Sequence, residues 1–375
     1  MTWPAQAADV RRLRLLLDAW QAVSRKMKPE RRRVSRRTRT LYWLNGITQS
    51  ILHRVQNKSH EDALAKVVPP PPIFVLGFWR SGTTLLHELL CCDSRFGFPT
   101  TYACLNPSHF LISERWVRAS DEREVRRPMD DLRYSWSSPQ EDEFALLALG
   151  APSAYEALLV PSLMDDAIPL LDLQERSADD QERWSSTFDY FLKLLTLQQG
   201  RRMVLKSPTH GYRMRILQRK FPAARFVIIE RNPYEVFASN LKLWQTLTNS
   251  YSLEHFTPQQ LERFVLTAYG LHQKAISDGV EQAEPHSVAK VRYEDLARDP
   301  MGEVSRLYRM LDLGDFTRAE ERLKAYLDKA SGHTRNRFQL SREQKDRVDR
   351  EWGATIEQNR YAWPNAYIDL VNDPH

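Results

Sequence analysis

The sequence predicts a three-layer α/β fold, with a central parallel sheet between helices, a helical insertion and an N-terminal helical extension. Four short apolar runs have the character of strands buried on both faces: residues 73–78, 202–206, 225–230 and 288–293. Helical patterns alternate with them, which favours parallel strands joined by crossover helices. A run of four prolines at residues 69–72 separates this part of the chain from a helical N-terminal part.

The N-terminal extension, residues 1–68, is strongly basic. Twelve Lys and Arg residues and only three Asp and Glu residues lie among its first 39 residues, although the net charge of the whole chain is +6. Residues 8–60 are predicted to be helical, and Leu44, Ile47 and Ile51 are among the apolar residues that repeat with helical spacing. Two roles fit this pattern. The extension is a helical hairpin packed on the main domain with its basic face in solvent, or it docks to a membrane surface or a partner.

The composition excludes several classes of protein. Apolar residues make up 42% and charged residues 27% of the 375 residues, as in globular proteins. The three cysteines, Cys91, Cys92 and Cys104, form no CxxC motif, which favours a reducing compartment. No apolar run approaches the ~20 residues of a membrane span, and no secretory signal is recognisable. We therefore expect a cytoplasmic protein. Outside the extension the charge is near neutral, so no specific nucleic-acid partner is indicated.

The main domain is predicted to span residues 69–375. Within it, residues 94–200 interrupt the sheet pattern with a mostly helical, aromatic-rich segment. Insertions of this kind commonly carry the substrate side of a site. Its aromatic residues line an apolar or sugar-binding cleft or form its core, and the sequence does not decide between these roles.

A phosphate-binding loop is predicted at residues 77–84, between the first strand and the first helix of the main domain. The backbone N–H groups and the dipole of a helix N-terminus favour an anion at such a place. Gly82 lets the backbone approach a ligand, and Thr83 and Thr84 add hydroxyl groups. The loop is P-loop-like because it keeps the GxxxxG frame, but Thr83 replaces the lysine of the nucleotide-triphosphatase motif and Arg80 supplies a cation instead. Such a loop suits a ligand with fewer phosphates than a nucleoside triphosphate.

A second anion-binding motif is predicted at residues 231–239. Arg231 directly follows the strand 225–230, so its head should lie at the carboxyl edge of the sheet, where open α/β sheets bind ligands. Asn232 and Pro233 are typical N-cap and first-turn residues of a helix. Ser239 lies about 9 Å further along that helix. A phosphate that touches both Arg231 and Ser239 would have to lie alongside the helix.

These motifs resemble those of the sulfotransferases that use 3′-phosphoadenosine 5′-phosphosulfate (PAPS), over roughly residues 69–300. The resemblance implies a sulfuryl donor, PAPS, and no metal. It also implies cofactor-binding residues: Arg80, Ser81, Gly82, Thr83 and Thr84 for the 5′-phosphosulfate, Arg231 and Ser239 for the 3′-phosphate, Tyr293 near the adenine, and Arg335 as a further basic contact to the 3′-phosphate.

The resemblance implies in-line sulfuryl transfer to a hydroxyl or amine of a small-molecule, carbohydrate or lipid acceptor. Arg80 and Lys206, which ends the strand 202–206, would stabilise the negative charge that develops. A general base is also expected. The sequence departs from the family here, because residues 101–103 hold no carboxylate and Pro208 stands where cytosolic relatives have a histidine. The candidates for the base are His210, Glu141, Glu143, His87 and Glu88.

Two other functions fit parts of the pattern. A P-loop kinase or NTPase shares the loop frame, but it should have lysine at position 83 and an acidic Mg²⁺ ligand after a strand. A non-catalytic nucleotide-binding adaptor could act through the basic extension, but the two intact anion-binding motifs argue against it. The sequence does not reveal the acceptor or the oligomeric state.

Overall fold

The computed structural model describes residues 36–120, 125–126, 133–158, 168, 171–251, 257–330 and 337–371. Residues 8–35 of the predicted helical extension and Arg335 lie outside these ranges. The described chain folds into two compact units. Unit 1 takes its residues from 36–70, 97–203 and 245–257, and unit 2 takes its residues from 71–96, 204–244 and 258–371. The domain boundary expected between residues 68 and 69 stays a prediction.

The five-stranded sheet has the order β2-β5-β1-β6-β7. The strands of the described chain are β1 (Ile73–Leu76), β2 (Phe96–Gly97), β3 (Val125–Arg126), β4 (Arg133–Tyr134), β5 (Arg202–Lys206), β6 (Arg225–Glu230), β7 (Val288–Arg292), β8 (Phe338–Ser341) and β9 (Ile368–Val371). β1 pairs in parallel with β5 and β6, and β6 pairs in parallel with β7. The prediction of a central parallel sheet is confirmed.

The helices alternate with these strands. In the described chain they are α1 (Arg36–Lys66), α2 (Thr83–Cys91), α3 (Thr101–Leu105), α4 (Phe110–Ser120), α5 (Glu143–Ala148), α6 (Ala178–Gln199), α7 (Met214–Lys220), α8 (Pro233–Tyr251), α9 (Pro258–Glu281), α10 (Tyr293–Arg298), α11 (Pro300–Leu311), α12 (Thr317–Ala330) and α13 (Arg342–Gln358). Between β5 and α7 the chain forms a 3₁₀ turn, Pro208–Arg213. None of these helices is both long and apolar enough to cross a bilayer.

The core of unit 2 covers β1 on both faces. Ile73 and Val75 pack on one face in a buried cluster with α2 and α11. On the opposite face the ring of Phe74 stacks on that of Phe226, with a centroid distance of 5.4 Å. Burying a side chain of this size contributes about 1.5–3 kcal/mol. Because both faces of β1 are buried, its sequence is a continuous apolar run. The same burial fixes the position at which the following loop begins.

Unit 1 places α1 against α6 and the start of α4. Gln56 of α1 is buried; its Nε2 donates to the Pro107 carbonyl (3.1 Å) and its Oε1 accepts from Leu111 N–H (3.0 Å). Gln56 therefore fixes α1 against the segment that leads into α4. Three of the apolar residues that repeat along this helix, Leu44, Ile47 and Ile51, are exposed.

Candidate active site

The loop after β1 ends in the uncapped start of a helix. α2 begins at Thr83, and its N-cap residue, Gly82, has φ +100°. Gly82 has no side chain to cap the first N–H groups of α2, so an anion can take the place of a capping oxygen. Arg80 also has a positive φ, +66°, which is uncommon for a residue with a side chain. The loop therefore holds backbone strain of the kind found at ligand sites.

Internal hydrogen bonds hold this loop in place. Ser81 Oγ donates to the Phe78 carbonyl at 2.8 Å. A Cβ at Gly77 would lie 2.6 Å from that Ser81 oxygen, so position 77 has room only for glycine. Asn240 of α8 is buried and donates from Nδ2 to the Trp79 carbonyl at 2.7 Å. These contacts tie the loop to the helix that carries the second motif.

The second motif begins where β6 ends. Asn232 Oδ1 accepts from Tyr234 N–H at 3.1 Å, so Asn232 forms a turn at the start of α8 as predicted. Arg231 forms a buried ion pair with Glu235 one turn further on. The guanidinium of Arg231 also lies over the ring of Tyr293, 4.4 Å from its centroid. Arg231 is thus held between the carboxylate of Glu235 and the aromatic face of Tyr293.

Arg80 connects the two motifs. Its carbonyl oxygen accepts from Nη1 of Arg231 at 3.0 Å, and its own Nε donates to Ser239 Oγ at 3.0 Å. Tyr293 closes the group, because its ring packs so closely on Gly82 that a Cβ there would lie 2.4 Å from Tyr293 Cδ2. The structure therefore brings together Arg80, Gly82, Arg231, Ser239 and Tyr293. Their roles in binding a nucleotide stay predictions.

A small pocket adjoins this group. It is lined by residues that include Ser81, Ile229, Arg231, Tyr269 and Gln273. Burial raises the pKa of Tyr269, and neighbouring acidic groups raise it further, so its phenol stays protonated at neutral pH. Tyr269 and Gln273 escaped the sequence analysis because one face of α9 carries them, far along the chain from both motifs and with no motif of its own.

Lys206 ends β5 as predicted, His210 lies in the 3₁₀ turn that follows, and both side chains are buried. Lys206 is the last residue of the strand, in register with Val75 of β1. His210 is fully buried, and its imidazole meets the ring of Phe74 edge-on at 5.5 Å. In this conformation His210 faces the aromatic core, so it would have to move to accept a proton from a substrate.

The other candidate bases have defined surroundings. His87 is buried, and its Nε2 is 3.2 Å from the Val204 carbonyl oxygen. Glu88 accepts a hydrogen bond from the hydroxyl of Tyr326. These contacts tie both side chains to the sheet and to α12.

Glu141 and Glu143 belong to unit 1. Glu141 is partly buried, and its Oε2 accepts from the Tyr155 hydroxyl at 2.6 Å. Glu143 is fully buried, and its Oε1 accepts from the Ser153 hydroxyl at 2.6 Å. Across the described residues, no three His, Cys, Asp or Glu side chains are grouped as metal ligands would be.

Comparison with known proteins identifies the family. Residues 71–318 match the model of the sulfotransferase family. The chain is 38% identical, over 297 residues, to the omega-hydroxy-beta-dihydromenaquinone-9 sulfotransferase Stf3 of Mycobacterium bovis and to that of Mycobacterium tuberculosis; the match covers 79% of this chain and 76% of each relative. The chain belongs to the sulfotransferase family and is an enzyme of that class, which sets aside the kinase and adaptor hypotheses.

Solved structures show the same fold. STF1 of Mycobacterium tuberculosis superimposes with a TM-score of 0.61 at 21% identity, over 83% of this chain and 85% of that one. STF9 of Mycobacterium avium gives a TM-score of 0.64 at 18% identity, over 86% and 83%. The predicted P-loop-like, three-layer α/β fold is therefore confirmed.

Proposed function

We propose that this sulfotransferase takes its sulfuryl group from PAPS and that Arg80, through its contacts with Arg231 and Ser239, defines the donor site. The loop at residues 80–84 would hold the 5′-phosphosulfate. Arg231 and Ser239 would hold the 3′-phosphate, and Tyr293 would lie near the adenine. The contact between Arg80 and Ser239 carries the proposal, since it places a loop cation beside the residue expected at the other end of the donor.

The chemistry follows from charge. As the sulfuryl group leaves, negative charge grows on the departing phosphate, and preorganised cations stabilise it. The Ser239 hydroxyl orients the guanidinium of Arg80 for this task. Lys206 would stabilise the transferring group, because its side chain is buried at the end of β5 and has little freedom to move away. The acceptor proton would pass to His210, Glu141 or Glu143.

The acceptor class is proposed from the relatives. The name of Stf3 specifies a menaquinone-type lipid that carries an ω-hydroxyl group. We propose a hydroxylated isoprenoid lipid as the acceptor of this chain as well, since the match to Stf3 covers 79% of it. A lipid acceptor would bring the enzyme to a membrane surface, in keeping with the contact expected of the basic extension.

Donor and acceptor can be tested separately. Purified chain is incubated with ³⁵S-labelled PAPS and an ω-hydroxylated menaquinone in detergent micelles, and the product is identified by mass. The expected product carries one added sulfate group. Label transfer to a sterol or sugar hydroxyl but not to the quinone would overturn the acceptor class alone. Failure to bind 3′-phosphoadenosine 5′-phosphate by calorimetry would overturn the donor.

Lys206→Ala should abolish transfer while the binding of 3′-phosphoadenosine 5′-phosphate stays within about twofold, because the lysine is expected to act on the transferring group and not on the nucleotide. Lys290→Ala is the matched control: Lys290 lies in β7 of the same sheet, three strands from β5, and its head is exposed beside Glu230. Turnover close to that of the Lys290 variant would remove Lys206 from the mechanism.

The general base is assigned from pH profiles of kcat/KM for His210→Gln, Glu141→Gln and Glu143→Gln. A histidine base gives an acid limb near pH ~6.5 and a glutamate base one near ~4.3, before any environmental shift. The limb should vanish in one variant only.

A further inference from the structure

Helix α1 makes polar contacts with the rest of unit 1. Besides Gln56, Asn57 accepts at Oδ1 from the Tyr190 hydroxyl. His60 Nδ1 is 2.9 Å from the Gln56 carbonyl oxygen. Helices that lie on a domain normally bury their apolar side.

The outer face of α1 carries a row of exposed aliphatic side chains. Leu44, Ile47, Ile51 and Val55 are 49%, 40%, 54% and 46% exposed. At about 100° per residue these four side chains fall within a sector of about 80°, and at 1.5 Å per residue they extend over about 17 Å. We refer to them as the outer stripe. A single exposed leucine needs no explanation, but an aligned row of large aliphatic side chains marks a surface that another phase or molecule covers.

Positive charge borders the outer stripe, and the exposed acidic residues of α1, Glu61 and Asp62, follow C-terminal to it. Arg54 and Lys58 are exposed, and their positions on the helical wheel fall at about −80° and −40° from Leu44, beside and within the sector of the stripe. The first 39 residues of the chain, which lead into α1, carry twelve Lys and Arg against three Asp and Glu. An aliphatic row bordered by cations is complementary to an anionic lipid surface, whose acyl boundary takes the row and whose headgroups take the charges.

We propose that α1 binds an anionic bilayer surface through Leu44, Ile47, Ile51 and Val55, with Arg54 and Lys58 at the headgroup level. A second copy of the chain fits less well, because four half-exposed side chains on one convex helix offer far less than the ~800 Å² per partner of a standard interface. Nucleic acid would use the cations but leave the aliphatic row in water. The inference rests on α1 and on the basic residues before it, and it holds whichever acceptor the enzyme sulfates.

The test is co-sedimentation of the full chain with vesicles, in the absence of donor and acceptor. Vesicles of phosphatidylcholine with phosphatidylglycerol are compared with vesicles of phosphatidylcholine alone. The wild-type chain should bind the anionic vesicles, and Ile47→Gln/Ile51→Gln should bind them at least about tenfold more weakly, since two large aliphatic side chains leave the acyl boundary. Met310→Gln/Leu370→Gln is the matched control, because both residues are 41% exposed and belong to unit 2. It should bind as the wild type does.

Three results would overturn the proposal. Equal vesicle binding by the Ile47/Ile51 variant would assign the binding to the basic residues alone. No binding by the wild-type chain would show that the outer stripe is covered in another way. A wild-type dimer that the Ile47/Ile51 variant converts to a monomer, measured by sedimentation equilibrium, would make a second copy the partner. Calorimetric binding of 3′-phosphoadenosine 5′-phosphate checks that each variant is folded.

Discussion

Replacing Gly82 with alanine adds one methyl group where the phosphate loop enters α2. Two costs follow from the structure. The φ of +100° is a left-handed conformation that costs an L-residue about 1–2 kcal/mol. In addition, the new Cβ would lie 2.4 Å from Tyr293 Cδ2, so the ring must move away. Moving it breaks the contact with the Arg231 guanidinium, which is worth about 0.5–2 kcal/mol.

Gly150→Ala separates the two costs. Gly150 has a φ of +88°, but a Cβ there would meet no atom within 4 Å, so this variant carries the backbone strain alone. Urea unfolding should show a loss of about 1–2 kcal/mol for Gly150→Ala and a larger loss for Gly82→Ala. Calorimetry with 3′-phosphoadenosine 5′-phosphate should show wild-type affinity for Gly150→Ala and a loss of at least about tenfold for Gly82→Ala, a factor equal to ~1.4 kcal/mol. Equal stability and equal affinity of the two variants would refute the role assigned to the Gly82–Tyr293 contact.

Two further predictions concern buried polar groups. Gln56→Leu should lower the free energy of unfolding by about 2–4 kcal/mol, since it leaves the Pro107 carbonyl and the Leu111 N–H without their side-chain partner; urea unfolding measures the loss, and a change below about 0.5 kcal/mol would contradict it. Burial lowers the pKa of His272 to about 3, and neither ring nitrogen has a hydrogen-bond partner among the described residues. The folded-state pKa lies below the unfolded value of ~6.5, so His272 has no effect on stability above pH ~6.5 and costs stability as the pH falls from there toward 3. Between pH 6.5 and 5 the free energy of unfolding of His272→Leu should therefore fall by about 2 kcal/mol less than that of the wild type. Parallel pH dependences of the two unfolding free energies would be evidence against this pKa.

Much of the fold was accessible from the sequence, because buried parallel strands and the residues that end them leave local patterns in the chain. The strands 202–206 and 225–230 were predicted with the bounds that β5 and β6 have. β1 ends two residues before the predicted end, since Gly77 already belongs to the loop. β2 was missed because two residues are too few to show a pattern.

The candidate site was predictable in its two motifs but not in its connections. Arg80 and Arg231 each follow a strand, and parallel strands end at one edge of a sheet, so their proximity could be expected. Two contacts depend on side chains from distant elements: the Tyr293 ring packs on Gly82, and Asn240 donates a hydrogen bond to the loop. No spacing in the sequence encodes such contacts.

The orientation of α1 shows a different limit. Helical periodicity locates an apolar row such as that containing Ile47 and Ile51, but it does not say which side of the helix meets the protein. The usual assumption that the apolar side is buried fails here, since Gln56 satisfies two backbone groups of a neighbouring segment and thereby fixes the polar side inward.

Arg80 meets the second motif both through its carbonyl oxygen and through its guanidinium. Both contacts issue from one residue with a left-handed backbone, so a displacement at that residue is transmitted to Arg231 and Ser239 at once. If the site holds PAPS as proposed, its two ends are thermodynamically linked. A nucleotide without the 3′-phosphate would then lose more binding free energy than the contacts of the 3′-phosphate alone contribute. The preference for PAPS over adenosine 5′-phosphosulfate would therefore depend on the whole loop.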